Sequence, residues 1–380
     1  MNLQTLPRAI PSTVLACGAY LKNRACLLDG DRVHWSAMHG DLGDAVACAD
    51  LADSIETLLA LSGSPLQAVA HDLHPDFHST QLALALAERL GVPAVAVQHH
   101  HAHIGVALAE HLTDAAVIGI ALDGVGLGSD GSAWGGEILW VGEQAQWRRI
   151  DHLAPLAMPG GDAAAREPWR LAAALLQAAG RGEEIVARFA PQVGATAAGL
   201  VHTMLQRDLH CPRSSAAGRW FDAAAGALGL STKQSSEAQA AIALEQAASG
   251  WLDANPSFQF DWPSLDLQPL VLQLFDLPAQ GADAVARGAA MFHLGLVSAL
   301  AQRAIGAAAD NDLDTVVLGG GCFANRILLN RLRRELQRVG LRVLEPAQAG
   351  YGDAGLALGQ AWVAAATCAA GAQLSVDEQA

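Results

Sequence analysis

The sequence is marked first by what it lacks. Its six cysteines (Cys17, Cys26, Cys48, Cys211, Cys322 and Cys368) are scattered and form no CxxC pair, which excludes a zinc ribbon and a disulfide framework and fits reduced, mostly buried thiols. No Gly-Lys pair followed by Ser or Thr occurs, so there is no P-loop. No GxSxG occurs either, so there is no α/β-hydrolase nucleophile elbow. There is no uninterrupted apolar run of membrane-spanning length, no basic-then-apolar start, no short-period repeat and no low-complexity linker. A cytoplasmic protein without a membrane partner is expected. Basic charge is scarce, with 23 Lys and Arg against 38 Asp and Glu and a net charge of −15. Such a surface repels phosphate backbones and makes nucleic acid a poor partner, although Arg326 to Arg342 holds six arginines.

What is present is a chain of 380 residues, 52% apolar, long enough for one large domain or two to three ordinary ones and ample for a buried core. Strand-like segments open it at Thr13 to Cys17, Arg24 to Leu28 and Val33 to Ala37, punctuated by Gly18 and Asp29-Gly30-Asp31. A helix is expected near Leu51 to Ser62, a buried strand at Val69 to Asp72, a helix capped by Ser79 and stopped by Gly91, and a strand at Ala94 to Val97. A helix from His101 to His111 and a strong strand from Val117 to Asp123 follow. Residues 160–310 are alanine-rich with helical periods, as at Ala163 to Ala178, Glu237 to Ala248 and Val285 to Ala309. The end reads as a parallel βαβ unit: strand Thr315 to Leu318, helix Asn325 to Val339, strand Arg342 to Leu344, then a helix from Gly352 to Ala366. The class is therefore α/β, with strand clusters towards each end that suggest two lobes and a cleft.

Four segments carry chemistry. In VQHHHAHI (Val97 to Ile104), four of the 14 histidines fall within five positions. His99 and His103 share a helical face and supply half of a metal site, or else belong to a capping cluster at a strand-to-helix junction. In LDGVGLGSDGSAWGGE (Leu122 to Glu137), Asp123 ends a strand, and Gly124, Gly126, Gly128 and Gly131 leave backbone N–H groups free to face an anion. Asp123 and Asp130 suit a cation or a water. In VLGGGCFAN (Val317 to Asn325), Gly319, Gly320 and Gly321 lie between a strand and a helix, where Asn325 either caps the helix or touches a nucleotide. In GYGDAGLALG (Gly350 to Gly359), Asp353 is a helix cap or a metal carboxylate. Asp222 in GRWFDAAAGALGL is expected at the head of a helix, as a cap or a ribose contact. Asp72, His74 and Asp76 crowd a turn after a strand.

Taken in order, ACGAYLKN, HDLHPDF, VQHHHAHIG, DGVGLGSDGSAWGGE, PGGDAAAREPWR, GRWFDAAA, GGGCFANRILL and GDAGLALGQA closely resemble the carboxy-terminal, kinase-like half of the HypF carbamoyltransferases, across essentially the whole chain. The resemblance implies the two-lobed fold of the actin-like ATPase superfamily (sugar kinases, Hsp70, actin), shared with the enzymes that make threonylcarbamoyladenosine in tRNA. Residues 1–380 would form a single unit. Its first lobe would span 10–118 and its second 119–380, including the helical region 160–310, with the last helix able to return to the first lobe. It implies one divalent metal, iron or zinc, on His99, His103, Asp123 and Asp353, with His99, His103 and Asp123 as the catalytic set and magnesium as a further candidate ion. It implies nucleotide contacts (ATP, carbamoyl-adenylate or AMP) from Gly319, Gly320, Gly321, Asn325 and Asp222, beside Gly124, Gly126 and Asp130. The implied activity belongs to maturation of nickel–iron hydrogenases: carbamoyl, drawn from carbamoyl phosphate and ATP, passes from carbamoyl-adenylate to the carboxy-terminal cysteine of a HypE-like partner and becomes cyanide. Full-length HypF proteins carry an acylphosphatase-like domain, a CxxC zinc region and a second nucleotide-binding domain ahead of this half. None of these is found here, so the chain is expected to be a natural short form or an excised domain. A tRNA-modifying transferase and a non-catalytic HypE-docking domain are the rival readings.

Overall fold

The computed structural model describes residues 2–113 and 115–377, with the course of the chain alone for 370–377. Two sheets organise it, as expected for a two-lobed α/β protein. The first holds β1 (Asn2–Ala16), β2 (Cys26–Trp35), β3 (Ala68–Asp72) and β4 (Ala94–Val97) in the order β2-β1-β3-β4. It is antiparallel at β1–β2 and parallel beyond. The three short opening strands expected from the sequence are two long ones. Gly30, at φ +65°, pairs with Ile10 between two register shifts, so Asp29-Gly30-Asp31 makes a bulge inside β2 and not a turn. Helices α1 (Ala45–Ala60) and α2 (His78–Leu90) cover one face. Phe77 takes the N-cap position of α2, and Ser79 is buried with its Oγ donating to the Ala19 carbonyl at 3.2 Å. Gly91 ends the helix in the left-handed region, as the sequence suggested.

Helix α3 (His99–His111) begins two residues earlier than expected, because the Gln98 side chain caps it by accepting from the His101 N–H at 2.8 Å. The second sheet follows: β5 (Val117–Leu127), β6 (Ala133–Val141), β7 (Trp147–His152), β8 (Leu156–Ala157), β9 (Arg213–Ser214), β10 (Thr315–Gly319) and β11 (Arg342–Leu344). The order is β11-β10-β5-β6-β9-β8, with β7 on β6 and the pairs β5–β10 and β10–β11 parallel. The alanine-rich region supplies α4 (Asp162–Arg166), α5 (Pro168–Ala178), α6 (Glu184–Val193), α7 (Ala195–Gln206), α8 (Ala217–Ala227), α9 (Gln239–Ala254), α10 (Gln268–Leu272) and α11 (Ala282–Asp310). The single helix expected from Ala163 to Ala178 is broken at Glu167, whose extended backbone (φ −128°, ψ 79°) is what a following proline requires. Helix α11, although charged residues interrupt it, is by length and composition long and apolar enough to cross a membrane. In the fold, 72% of its apolar stretch is buried, where it packs against α9, α12 (Arg326–Arg338) and β5.

The last helix, α13 (Leu356–Asp377), packs against α3, β1 and β3. Its buried Leu356, Leu358, Ala361 and Ala364 share one core with Val14, Ala16 and Ala70 of the first sheet. Helix α3 lies between the lobes. Ala102, Val106 and Ala109 enter the core that contains the first sheet, while Ile104, Ala107 and Leu108 enter one with Val117, Ala121 and Val317 of the second.

Candidate metal centre and the cavity between the lobes

Of the four clustered histidines, the helix turns two one way and two another, and all four are buried. His100 faces Trp134 and pairs through Nδ1 with the Gln98 amide at 3.0 Å, while His101 packs on Trp147. Burial pushes His101 down to about 3, and burial together with neighbouring His99 holds His100 well below its usual range. Both are neutral core side chains. His99 and His103, four residues apart, direct their Nε2 atoms to one point.

Asp123, on β5 just beyond its buried stretch, places Oδ2 at 3.2 Å from both Nε2 atoms. Asp353 brings Oδ1 to 3.7 Å from His99 Nε2 and 3.6 Å from His103 Nε2. The four donor atoms all lie within 4.8 Å of one another. Asp353 arrives on the turn Asp353–Gly355 that leads into α13, and the loop before it hangs on one buried carboxylate. Glu110 of α3 accepts from the N–H groups of Ala347, Gln348 and Ala349 and from the Gln4 amide. No motif in the sequence pointed to Glu110.

The electrostatics of the cluster suit a cation. Burial alone would lower the two histidines and raise the two aspartates. Instead Asp72, Asp123 and Asp353 hold His99 well above its usual range, and Asp123 and Asp353 raise His103. The imidazoles in turn hold Asp123 well below, and Asp353 below, the ordinary carboxylate range. Two carboxylates facing each other in a buried pocket need positive charge between them, supplied by imidazolium protons or by a metal that displaces them. Two imidazole nitrogens and two carboxylate oxygens form a donor set suited to iron or zinc. These residues therefore fit the group that the resemblance implies.

The two carboxylates of the cluster line a cavity of about 540 Å³, with the histidines buried behind them. Asp123, Gly124, Gly321 and Asp353 line it, together with Arg166 and Arg219. At its mouth Lys22 of the first lobe meets Glu237 of the second at 2.8 Å. Several residues expected at a nucleotide have structural roles of their own. Gly319 and Gly320 are demanded by packing: a Cβ would stand 2.7 Å from the His103 carbonyl oxygen at the first and 2.3 Å from that of Leu122 at the second. Of the three, Gly321 is the one that faces the site. Gly126 is pressed against the His99 and His100 rings, with 2.8 Å available to a Cβ. Asp130 lies in the exposed hairpin turn, where Oδ1 accepts from the Ser132 N–H and hydroxyl and from Trp134 Nε1. Asn325 is the N-cap of α12, accepting from the Leu328 N–H at 2.9 Å and donating to His293 Nε2 at 2.9 Å. Asp222 sits inside α8 and not at its head. It is buried behind the wall, taking the Gln234 amide at 2.9 Å with Arg219 Nη2 at 2.9 Å, and burial, opposed by Arg219, pushes it up to about 6. Arg219 and Gln234, which sequence reasoning missed, are the side chains that Asp222 presents to the cavity.

Comparison with known proteins follows the same outline. Residues 10–110 match the family described as the HypF Kae1-like domain, and residues 119–360 match the one described as carbamoyltransferase, Kae1-like domain, second subdomain. A carbamoyltransferase HypF homolog of Cupriavidus necator is 56% identical over 374 residues, covering 96% of this chain and 95% of its own length. A carbamoyltransferase HypF of Rhizobium leguminosarum is 38% identical over 92% of this chain but 44% of its own length. The crystal structure of a full-length HypF in a phosphate- and nucleotide-bound form superposes with a TM-score of 0.82 at 30% identity, covering 95% of this chain and 47% of that one. HypF of T. kodakarensis superposes with a TM-score of 0.86 at 28% identity, covering 96% and 49% respectively. The chain thus spans nearly all of one curated relative and about half the length of the others named here.

Proposed function

The chain belongs to the HypF carbamoyltransferase family, and from that premise we propose that its cavity carries out carbamoyl transfer from carbamoyl-adenylate to the terminal cysteine thiol of a HypE-like partner in hydrogenase maturation. The observation that carries this reading is the four-donor cluster of His99, His103, Asp123 and Asp353, whose two carboxylates line the cavity between the lobes. A divalent metal on those four residues, iron or zinc, would supply a Lewis acid for the carbamoyl carbonyl. Magnesium prefers all-oxygen donors and would accompany the nucleotide phosphate instead.

The cavity's own residues account for the rest. A volume of about 540 Å³ admits a mononucleotide. Arg166 and Arg219 on its wall offer positive charge to the phosphate, and bare Gly124 and Gly321 leave the floor open beside Asp123. The partner's thiol gives up its proton to solvent water, and its sulfur then bonds to the carbamoyl carbon. The bond from that carbon to the phosphate oxygen breaks, and AMP leaves with the electron pair. Formation of the adenylate from carbamoyl phosphate and ATP lies outside this reading, because the longer relatives have about half of their length beyond the matched part.

The test mixes the metal-replete, reduced chain with carbamoyl-adenylate and a HypE-like protein and follows the thiocarbamate mass on the terminal cysteine. Transfer is expected, and His103→Ala should lower its rate by at least about 100-fold, in line with the loss of a principal charge-stabilising group. Absence of transfer sinks the reading. Undiminished transfer by the variant would show that the cluster is not the reacting centre.

A further inference from the structure

Asp72 ends β3 in the first sheet and is completely buried. It does not line the cavity, yet its Oδ2 lies 2.7 Å from His99 Nδ1. The rest of Asp72 is tied down. Its Oδ1 accepts from the His74 N–H at 3.0 Å, and its carbonyl pairs with His71 Nδ1 at 2.7 Å and accepts from the Thr80 hydroxyl at 3.3 Å. An imidazole can turn about its bond to the helix and can carry its proton on either nitrogen. A fixed buried carboxylate at Nδ1 removes both freedoms: it takes the Nδ1–H and leaves Nε2 facing Asp123 and Asp353. His103 has no counterpart, since its Nδ1 is buried with no hydrogen-bond partner among the described residues. The two histidines are therefore unequal. One is oriented and made more basic by a carboxylate at its Nδ1, and the other has no such partner there.

From this geometry we infer that Asp72 is the positioning residue of the metal centre, locking His99 as its stronger nitrogen ligand and joining the first sheet to the centre. The inference rests on the metal reading above and deepens it. Asp72 touches neither substrate nor metal, so its effect passes through His99. A buried Asp that only held the strand end would act through His74 and Thr80 instead, and the two roles separate experimentally.

The experiment uses the full chain stripped of metal and titrated with zinc against a competing chromophoric chelator. Cobalt absorption spectra and metal-free thermal unfolding are recorded alongside. Asp72→Asn keeps the shape and the bond from His74 but removes the charge. It should weaken zinc binding by about 10- to 100-fold and alter the cobalt spectrum while the metal-free form stays folded. Thr80→Val, which releases only the hydroxyl contact to the Asp72 carbonyl, should bind zinc as the parent does. Equal zinc affinity in parent and Asp72→Asn overturns the positioning role and leaves the metal reading standing. A parent that binds no metal overturns both. A metal-free Asp72→Asn chain that does not fold also overturns the inference, Asp72 then being a residue of the fold.

Discussion

His293 shows how a single residue can be read only once its neighbours are placed. It lies in the middle of α11, fully buried, with Nδ1 donating to the Ala289 carbonyl at 2.8 Å and Nε2 accepting from Asn325 at 2.9 Å. Burial lowers it from 6.5 to about 4. Its folded value is the depressed one, so its contribution is complete above 6.5 and is lost as the pH falls through the window down to about 4. The size is about 3 kcal/mol, from roughly 1.4 kcal/mol per unit. Asp222 runs the other way: raised to about 6 from 3.8, it favours the fold at low pH and loses that contribution as the pH rises. A comparison of the parent with His293→Gln cancels the Asp222 effect. Urea unfolding on both sides of the window should show the parent losing about 3 kcal/mol more than the variant on acidification. Parallel losses would mean that His293 does not titrate as its burial requires. Asn325 carries the same lesson, because GGGCFAN places it where a nucleotide contact and a helix cap look alike, and the bonds to Leu328 and His293 decide for the cap.

At the scale of the element, α3 is the part on which the site depends. His99 through Glu110 are buried without a break, so the helix has no solvent face and is fixed by close approach on several sides. The tightest is with α13, where a Cβ on Gly359 would lie 1.8 Å from the Ala102 carbonyl oxygen. That neighbour is backbone and cannot swing aside. Two effects compete in Gly359→Ala. Helix propensity favours alanine by about 1 kcal/mol, whereas overpacking against a helix backbone costs about 1–3 kcal/mol and occasionally more. With so short an approach the clash should fall at the upper end of its range and win, giving a net loss of about 2 kcal/mol in chemical unfolding. A stabilised variant would show that α13 can shift along α3 freely. Sequence periodicity could not find this contact, because α13 looks like any small-residue helix and its partner lies some 250 residues earlier by position (Ala102 against Gly359).

For the whole molecule, the chain crosses between its lobes more than once. Residues from α3 serve both cores, and α13, at the far end of the sequence, completes the core of the first sheet. Neither lobe can therefore shed the other without exposing buried apolar surface. Heating or denaturant should give one transition, coincident by far-ultraviolet circular dichroism and by tryptophan fluorescence, with Trp35 in the first lobe and Trp169 and Trp220 in the second. Two separated transitions would establish the lobes as independent folding units.

The sequence by itself determined the class of fold, the strand-to-helix order around each glycine-rich segment, the family, and the four candidate ligands. Fold class and element order are properties of local pattern, period and capping, whereas the family and the four ligands follow from the resemblance that the ordered motifs carry. Tertiary structure buried all four clustered histidines and, by starting the helix at His99 and not at His101, carried the shared face of His99 and His103 through that whole segment. It alone brought Asp353 to Asp123, by hanging a distant loop on Glu110, and Asp72 to the back of His99. It also showed that packing leaves no room for a side chain at Gly319 and Gly320. Each of these depends on contacts between segments far apart in the chain, and such contacts leave no periodic trace in the segments that make them.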